Sequence, residues 1–214
     1  MTSQADLAVT RRSLHGVAEL LLAGPQYRAA GTLRLAVVPG GFATTRQPPL
    51  RVDGERVTGP AGVAAGLGGR TPRDLGAELG VTAGRPDGAY GGGSGVEPDE
   101  TLTVDPDQAA VIMAALARGH DALSAFAPGE APVLWPEHFD VAIRVRDTNY
   151  GVSPGDGFLD EPYAYVGTAP RPAGDAFWNA PFGAAVPLRE LPDVPAVTGF
   201  FAAGRTSLAG RRPG

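Results

Sequence analysis

The chain contains no cysteine and no lysine; all 18 of its basic residues are arginine. Without thiols there is no disulfide, no cysteine-ligated zinc or iron–sulfur centre and no thiol nucleophile. Without lysine there is no Schiff-base chemistry and no phosphate-binding loop that depends on that residue. Long apolar runs are missing as well: none approaches the ~20 residues that cross a membrane as a helix. The stretch VAELLLAG (17–24) follows Arg11 and Arg12, but Glu19 interrupts it, so it reads as an amphipathic helix rather than a signal peptide. Basic stripes are missing too. The net charge is −5 and the arginines are scattered singly or in pairs, which speaks against a surface for nucleic-acid backbones. The expectation is a cytoplasmic protein without nucleic-acid or membrane partners, with a homo-oligomer left open.

Glycine and proline, by contrast, are abundant, at 31 and 21 of 214 residues. Together with the many Ala and Arg they suggest a GC-rich genome, and they predict long loops between ordinary helices and strands. The length suits one domain, assigned to residues 1–208. A Gly-rich mobile loop is expected at about 84–100 and a frayed tail at 209–214.

Residues 4–23 carry Leu7, Leu14, Ala18 and Leu21 at helical spacing, with Gly24-Pro25 expected to end the helix. The segment 27–38 alternates as a half-buried strand, and 50–59 reads as a hairpin turning at Asp53-Gly54. Thr71 before Pro72, and Asp105 before Pro106 with Gln108 three residues on, are helix N-cap patterns. In the second helix Ile112, Ala115, Leu116, Gly119, Leu123 and Phe126 form the buried face. Strands follow at 138–146 and 158–167, with a Pro/Gly loop between them, and a last helix is expected over 194–210. The element order predicts an α+β fold: an antiparallel sheet built from hairpins, with helices packed on one face.

The octet VLWPEHFD (133–140) holds one of three histidines and one of two tryptophans. As part of a strand starting at 138, His138, Asp140 and Arg144 share one face, opposite Phe139, Val141 and Ile143. In the next strand Glu161, Tyr163 and Tyr165 share a face. A hairpin that pairs apolar with apolar joins the two polar sets. Histidine titrates near neutrality, so His138 is the candidate base, with Asp140 or Glu161 orienting it. Residues 133–184 also hold both Trp, four of the eight Phe and three of the five Tyr. Aromatic walls with a few convergent polar groups make small-molecule pockets. Trp135, Arg144, Tyr163, Tyr165, Trp178 and Asn179 are the expected ligand contacts.

Taken together, LWPEHFDVAI, NYGVSPGDGFLDEPYAYVG and FWNAPFGA resemble a family from high-GC, actinobacterial-type bacteria. Its members combine W-P-x-H-F-D, S-P-G-D, E-P-Y-x-Y and F-W-N-A-P-F-G-A motifs, and SLHGVAELLLAGPQYRAAGTLRL looks like the same group. The resemblance covers most of the chain and implies no established activity, cofactor or catalytic residues.

The leading expectation is binding of a small polar or aromatic molecule in an aromatic and acidic pocket around residues 133–182. One alternative is an enzyme using a divalent metal held by His138 and Asp140, with His15 as a third ligand if the first helix meets the octet. Another is a non-catalytic module whose exposed aromatic loops meet a protein partner. His120, beside Asp121, reads as a helix-boundary residue.

Overall fold

In a computed structural model, described over residues 4–170, 172 and 176–210, the first half of the sheet comprises β1 (Leu35–Val38), β2 (Gly41–Thr44), β3 (Arg51–Asp53), β4 (Arg56–Thr58) and β5 (Ala64–Gly66). The second half comprises β6 (Val133–Trp135), β7 (Asp140–Val145), β8 (Thr148–Ser153), β9 (Tyr163–Thr168) and β10 (Gly183–Pro187). The spatial order is β10-β9-β8-β7-β6-β1-β2-β3-β4-β5. Two five-stranded meanders thus meet where Leu35 of β1 pairs with Leu134 of β6, and every neighbouring pair is antiparallel. Of the helices α1 (Gln4–Gly16), α2 (Gly24–Ala30), α3 (Pro72–Leu79), α4 (Pro106–Phe126) and α5 (Val194–Ala209), α4 packs against β7 and β8 and α5 against β9 on one face, while α1 packs against α4. This is the α+β arrangement expected. Among the described residues no helix is long and apolar enough to cross a membrane.

Helix starts follow their capping chemistry. The side chains of Thr71, Asp105 and Asp193 accept the backbone N–H of Asp74, Gln108 and Ala196 at 3.1, 2.9 and 2.8 Å. The expected inward face of α4, including Ile112, Leu116, Gly119 and Phe126, is buried.

Three local readings are corrected. First, Gly24-Pro25 does not stop the first helix. A π-helical stretch, Val17–Ala23, follows α1 and leads straight into α2, which ends at Gly31 with φ 66°. In the π pattern the N–H of residue 24 bonds the carbonyl of Glu19, so the next donor would be residue 25, which as proline has none. The freed Leu20 carbonyl is taken by the Gly84 N–H at 2.9 Å. That approach requires glycine at 24, where a Cβ would lie 1.7 Å from the Gly84 carbonyl oxygen.

Second, residues 27–34 are helix and connector, and β1 begins only at Leu35. The fully buried Gln26 side chain organises this change. It donates to the carbonyls of Thr32 and Arg34, both at 3.0 Å, and accepts from the N–H groups of Thr45 and Arg46.

Third, TNYGVS, expected as loop, is β8, inserted between the two strands that were anticipated as neighbours. The 50–59 hairpin is present one residue out of step: Asp53 pairs with Arg56, so Gly54-Glu55 forms the turn. Of the tail expected at 209–214, residues 211–214 lie outside the described residues.

Candidate functional site

The register of β7, β8 and β9 sorts their side chains into two sets. Val141 pairs with Val152 and Val152 with Ala164, while Ile143 pairs with Tyr150 and Tyr150 with Val166. All six belong to the core under the helices. Alternation sends Asp140, Asn149, Ser153, Tyr163 and Tyr165 to the opposite face. Asp140 and the two tyrosines therefore do share a face, although β8 separates their strands.

Gly151 makes that separation bridgeable. It sits between Ala142 of β7 and Tyr165 of β9 in the ladder, and a Cβ there would lie 2.6 Å from three atoms of the Tyr165 phenol. With no side chain at 151, the Tyr165 ring lies across β8 and its hydroxyl donates to Oδ2 of Asp140. Tyr163 makes a parallel contact, its hydroxyl donating to Oδ2 of Asp156 at 2.6 Å. The other oxygen of Asp156 accepts the N–H groups of Phe158 and Leu159.

A cleft of about 780 Å³ opens over this face. Its floor includes Asp140, Asp156, Tyr163 and Tyr165; Arg11 and His15 of α1 form one wall, Gly93-Ser94 another, and Phe182 adds an aromatic side. The Tyr165 ring meets Phe182 edge-on at 6.2 Å and Tyr163 at a tilt at 6.3 Å. A second cavity of about 430 Å³, lined by Trp135, Arg34 and Arg144, shares Glu137, His138, Asp140, Asn149 and Tyr165 with the first. Asp140 thus stands at the junction of two lobes.

Asp140 is 6 % exposed, and its Oδ1 is a buried atom without a hydrogen-bond partner. Burial raises its pKa, only partly offset by the Tyr165 hydrogen bond and the nearby His138. Burial likewise pushes the Tyr165 hydroxyl well above the ordinary phenol range, and the Asp140 charge adds to it. The phenol keeps its proton at neutral pH and serves as a donor.

The α1 wall carries two more perturbed groups. Arg11 donates to the Asp160 carbonyl at 3.2 Å, and no carboxylate of a described residue lies within ion-pair distance of it. Burial lowers its pKa, opposed by the charges of Asp156 and Asp160. His15 stacks on Phe139 with ring centroids 5.5 Å apart, and its Nε2 lies 2.7 Å from the Pro136 carbonyl oxygen. Burial lowers its pKa as well. Arg12, by contrast, is held by both oxygens of Glu100.

The Gly-rich segment is tied down from beneath. Glu19 is fully buried in the π-helical stretch and accepts bonds from the Tyr90 hydroxyl at 3.2 Å, the Ser94 N–H at 3.1 Å and the Ser94 hydroxyl at 2.6 Å. Gly93 has φ +96°, and a Cβ there would lie 2.1 Å from the Glu19 carboxylate. The loop that forms the cleft wall is therefore moulded on Glu19.

His138 is not on a strand. Phe139 adopts φ 55° and turns inward against Phe42 and His15, so β7 starts at Asp140. His138 occupies the preceding turn, at the mouth of the cleft, with its side chain 71 % exposed. Trp135 and Arg144 line the smaller lobe, where the Arg34 guanidinium lies 5.9 Å from the Trp135 ring.

Three other expected site residues lie elsewhere. Glu161 pairs with Arg189 outside both cavities. Trp178 is buried in the core, its Nε1 donating to Ser207 at 3.1 Å. Asn179 braces the start of β10 by bonding both the N–H and the carbonyl of Ala185. Among the described residues no three His, Asp or Glu side chains converge as a metal site; His15, His138 and Asp140 line one cleft without forming one.

Sequence reasoning passed over Arg11 and Asn149. Asn149 was hidden inside a presumed loop. Arg11 had a signal: Arg11, His15 and Glu19 recur at intervals of four, which places three ionisable side chains along one stripe of the helix. Comparison with protein-family models, curated proteins and solved structures finds no match to this chain.

Proposed function

We propose that this protein binds a small polar or aromatic molecule in the cleft between α1 and the outer face of β7–β9, with Asp140 as its anchor. One observation carries the reading: a buried carboxylate has one oxygen satisfied by Tyr165 and the other without a partner, in the wall of a large cavity. An unsatisfied buried polar atom destabilises a fold by about 1–3 kcal/mol, and a ligand group that donates to it removes that penalty. The ring cluster of Tyr163, Tyr165 and Phe182 supplies apolar surface beside the anchor. His138 stands at the mouth, placed to exchange a proton with a bound molecule should a reaction follow binding. That Val17–Ala23 is a buried helical stretch of the fold rather than a signal peptide supports a cytoplasmic setting.

The test is a thermal-shift screen of a broad metabolite collection, followed by calorimetry on the hits. A hit should raise the Tm of the wild type and bind at least ~10-fold more weakly to Asp140→Asn, because the charge is lost and one acceptor oxygen becomes an NH2 donor. Hits that bind the variant and the wild type equally, or no hits at all, would remove Asp140 from the site and the reading with it.

A further inference from the structure

Two charged side chains of opposite sign line the same cleft, and among the described residues neither makes an ion pair, although Asp156 and Asp160 lie near Arg11 and His138 near Asp140. Asp140 has a free, buried Oδ1. Arg11 uses one N–H on a backbone carbonyl, and among the described residues no carboxylate reaches it. The two also fail to reach each other. Asp140 opens β7, whereas Arg11 lies against Gly155 at the β8–β9 connection, where a Cβ at 155 would be 2.4 Å from its Nη1. Asp156 lies nearby, but its oxygens are engaged by Tyr163, Phe158 and Leu159.

The donor and acceptor balance of the floor sharpens the picture. Both tyrosine hydroxyls spend their only proton on aspartates, so toward the cleft they can only accept. Ser153, on the same face, is likewise occupied, exchanging hydrogen bonds with the backbone of Gly155. The Asp140 end thus offers acceptors beside aromatic rings, a setting that favours an ammonium group. The Arg11 end offers a planar guanidinium, which matches a carboxylate in two-point geometry.

Resting on the binding role proposed above, we infer that the ligand is a zwitterion of the amino-acid type, its ammonium held at Asp140 and its carboxylate at Arg11. The cleft volume of about 780 Å³ leaves room for a side chain against Tyr163, Tyr165 and Phe182. A zwitterion gives the buried Asp140 carboxylate and the half-buried Arg11 guanidinium a direct partner at once, whereas a ligand of single sign leaves one of them without an ion pair.

Matched probes on the full chain decide the matter: the twenty standard L-amino acids, then L-phenylalanine beside N-acetyl-L-phenylalanine, L-phenylalaninamide and L-phenyllactate, with neutral sugars and nucleosides as class controls. Calorimetry should show at least one free amino acid binding. Capping its amine or its carboxylate should weaken binding by about 30-fold or more, with the same caps applied to whichever amino acid binds. In Arg11→Gln the acid and its amide should bind alike; in Asp140→Asn the penalty for N-acetylation should shrink. The small-molecule series needs only the wild type, so an unfolded variant does not spoil the test. If a sugar, nucleoside or phenyllactate binds in an Asp140-dependent way while no amino acid does, the zwitterion inference falls and the binding cleft stands. If capped and free amino acids bind equally, the inference also falls. If no probe binds and the broad screen is empty, both fall.

Discussion

Replacing Gly151 with alanine adds one methyl group to a strand, a change that ordinarily stabilises a strand by about 0.5–1 kcal/mol through backbone entropy. Here the sign should reverse. The new Cβ would lie 2.6 Å from Cε1, Cζ and Oη of Tyr165, so the ring must lift off β8 and its hydroxyl must leave Asp140. A hydrogen bond to a charged or charge-sharing group is worth about 1.5–3 kcal/mol. Disturbed ring contacts with Tyr163 and Phe182 add a fraction of about 0.5–1.5 kcal/mol each. Set against the backbone gain, the net loss is about 1–3 kcal/mol. For a chain of this size each kcal/mol moves Tm by about 2–4 °C, so a fall of about 3–10 °C is expected.

Urea unfolding of four proteins measures this cleanly: wild type, Gly151→Ala, Tyr165→Phe and the double variant. Once the hydroxyl is gone the ring is free to tilt, and alanine at 151 should cost little. The double variant should therefore be more stable than additivity predicts by about 1 kcal/mol or more. Strict additivity, or a Gly151→Ala protein more stable than wild type, would refute the argument that the bare position at 151 exists to let Tyr165 reach Asp140.

Three further outcomes are expected. Asp140 has a pKa raised by burial, so it contributes stability that is fully present below its unfolded value of about 3.9 and is lost as pH rises through its folded value. The stability of the wild type relative to Asp140→Asn should thus decline from acid toward neutral pH in thermal melts, and a flat difference would contradict the burial. Glu19→Ala leaves Tyr90 and Ser94 without their acceptor and should lower stability by about 3 kcal/mol; proteolysis within 88–95, faster than in the wild type, would show the wall coming loose. His138→Ala removes a side chain that is 71 % exposed and should leave Tm within about 2 °C of wild type; a larger drop would mean the turn depends on it.

Where local chemistry decides structure, the sequence was readable. Asp105-Pro106 and Thr71-Pro72 start helices because a short side-chain oxygen meets orphan N–H groups whatever surrounds them. The shared face of Asp140, Tyr163 and Tyr165 was legible because strand alternation survives the insertion of β8: the one additional ladder step keeps paired residues on the same face. What was hidden depended on distant atoms. Pro25 passes as a helical residue only because Gly84, some sixty positions away, takes the stranded carbonyl. Gly151 made β8 look like loop because the ring that covers it belongs to its cross-strand partner, Tyr165 of β9, which is distant in sequence terms only. His138 left the strand because Phe139 gains more by packing on Phe42 and His15 than it loses at φ 55°. Trp178 was drawn to the core face by Ser207 of a helix that follows it.

The π-helical stretch also sets an angle. Each residue of an α-helix turns the side-chain direction by about 100°, and a stretch bonded to the fifth residue back fits about one residue more into the same rise. Everything before Val17 is therefore rotated relative to α2 by an amount that a regular helix would not produce. Excising one residue from Val17–Ala23 would restore the regular phase and swing Arg11 and His15 away from the floor, while leaving each of those side chains, and the sheet beneath them, chemically unchanged. The direction in which Arg11 faces the cleft is thus set by a miscount in the helix, and a single deletion would turn it away from the side of the cleft that Asp140 lines without touching either residue.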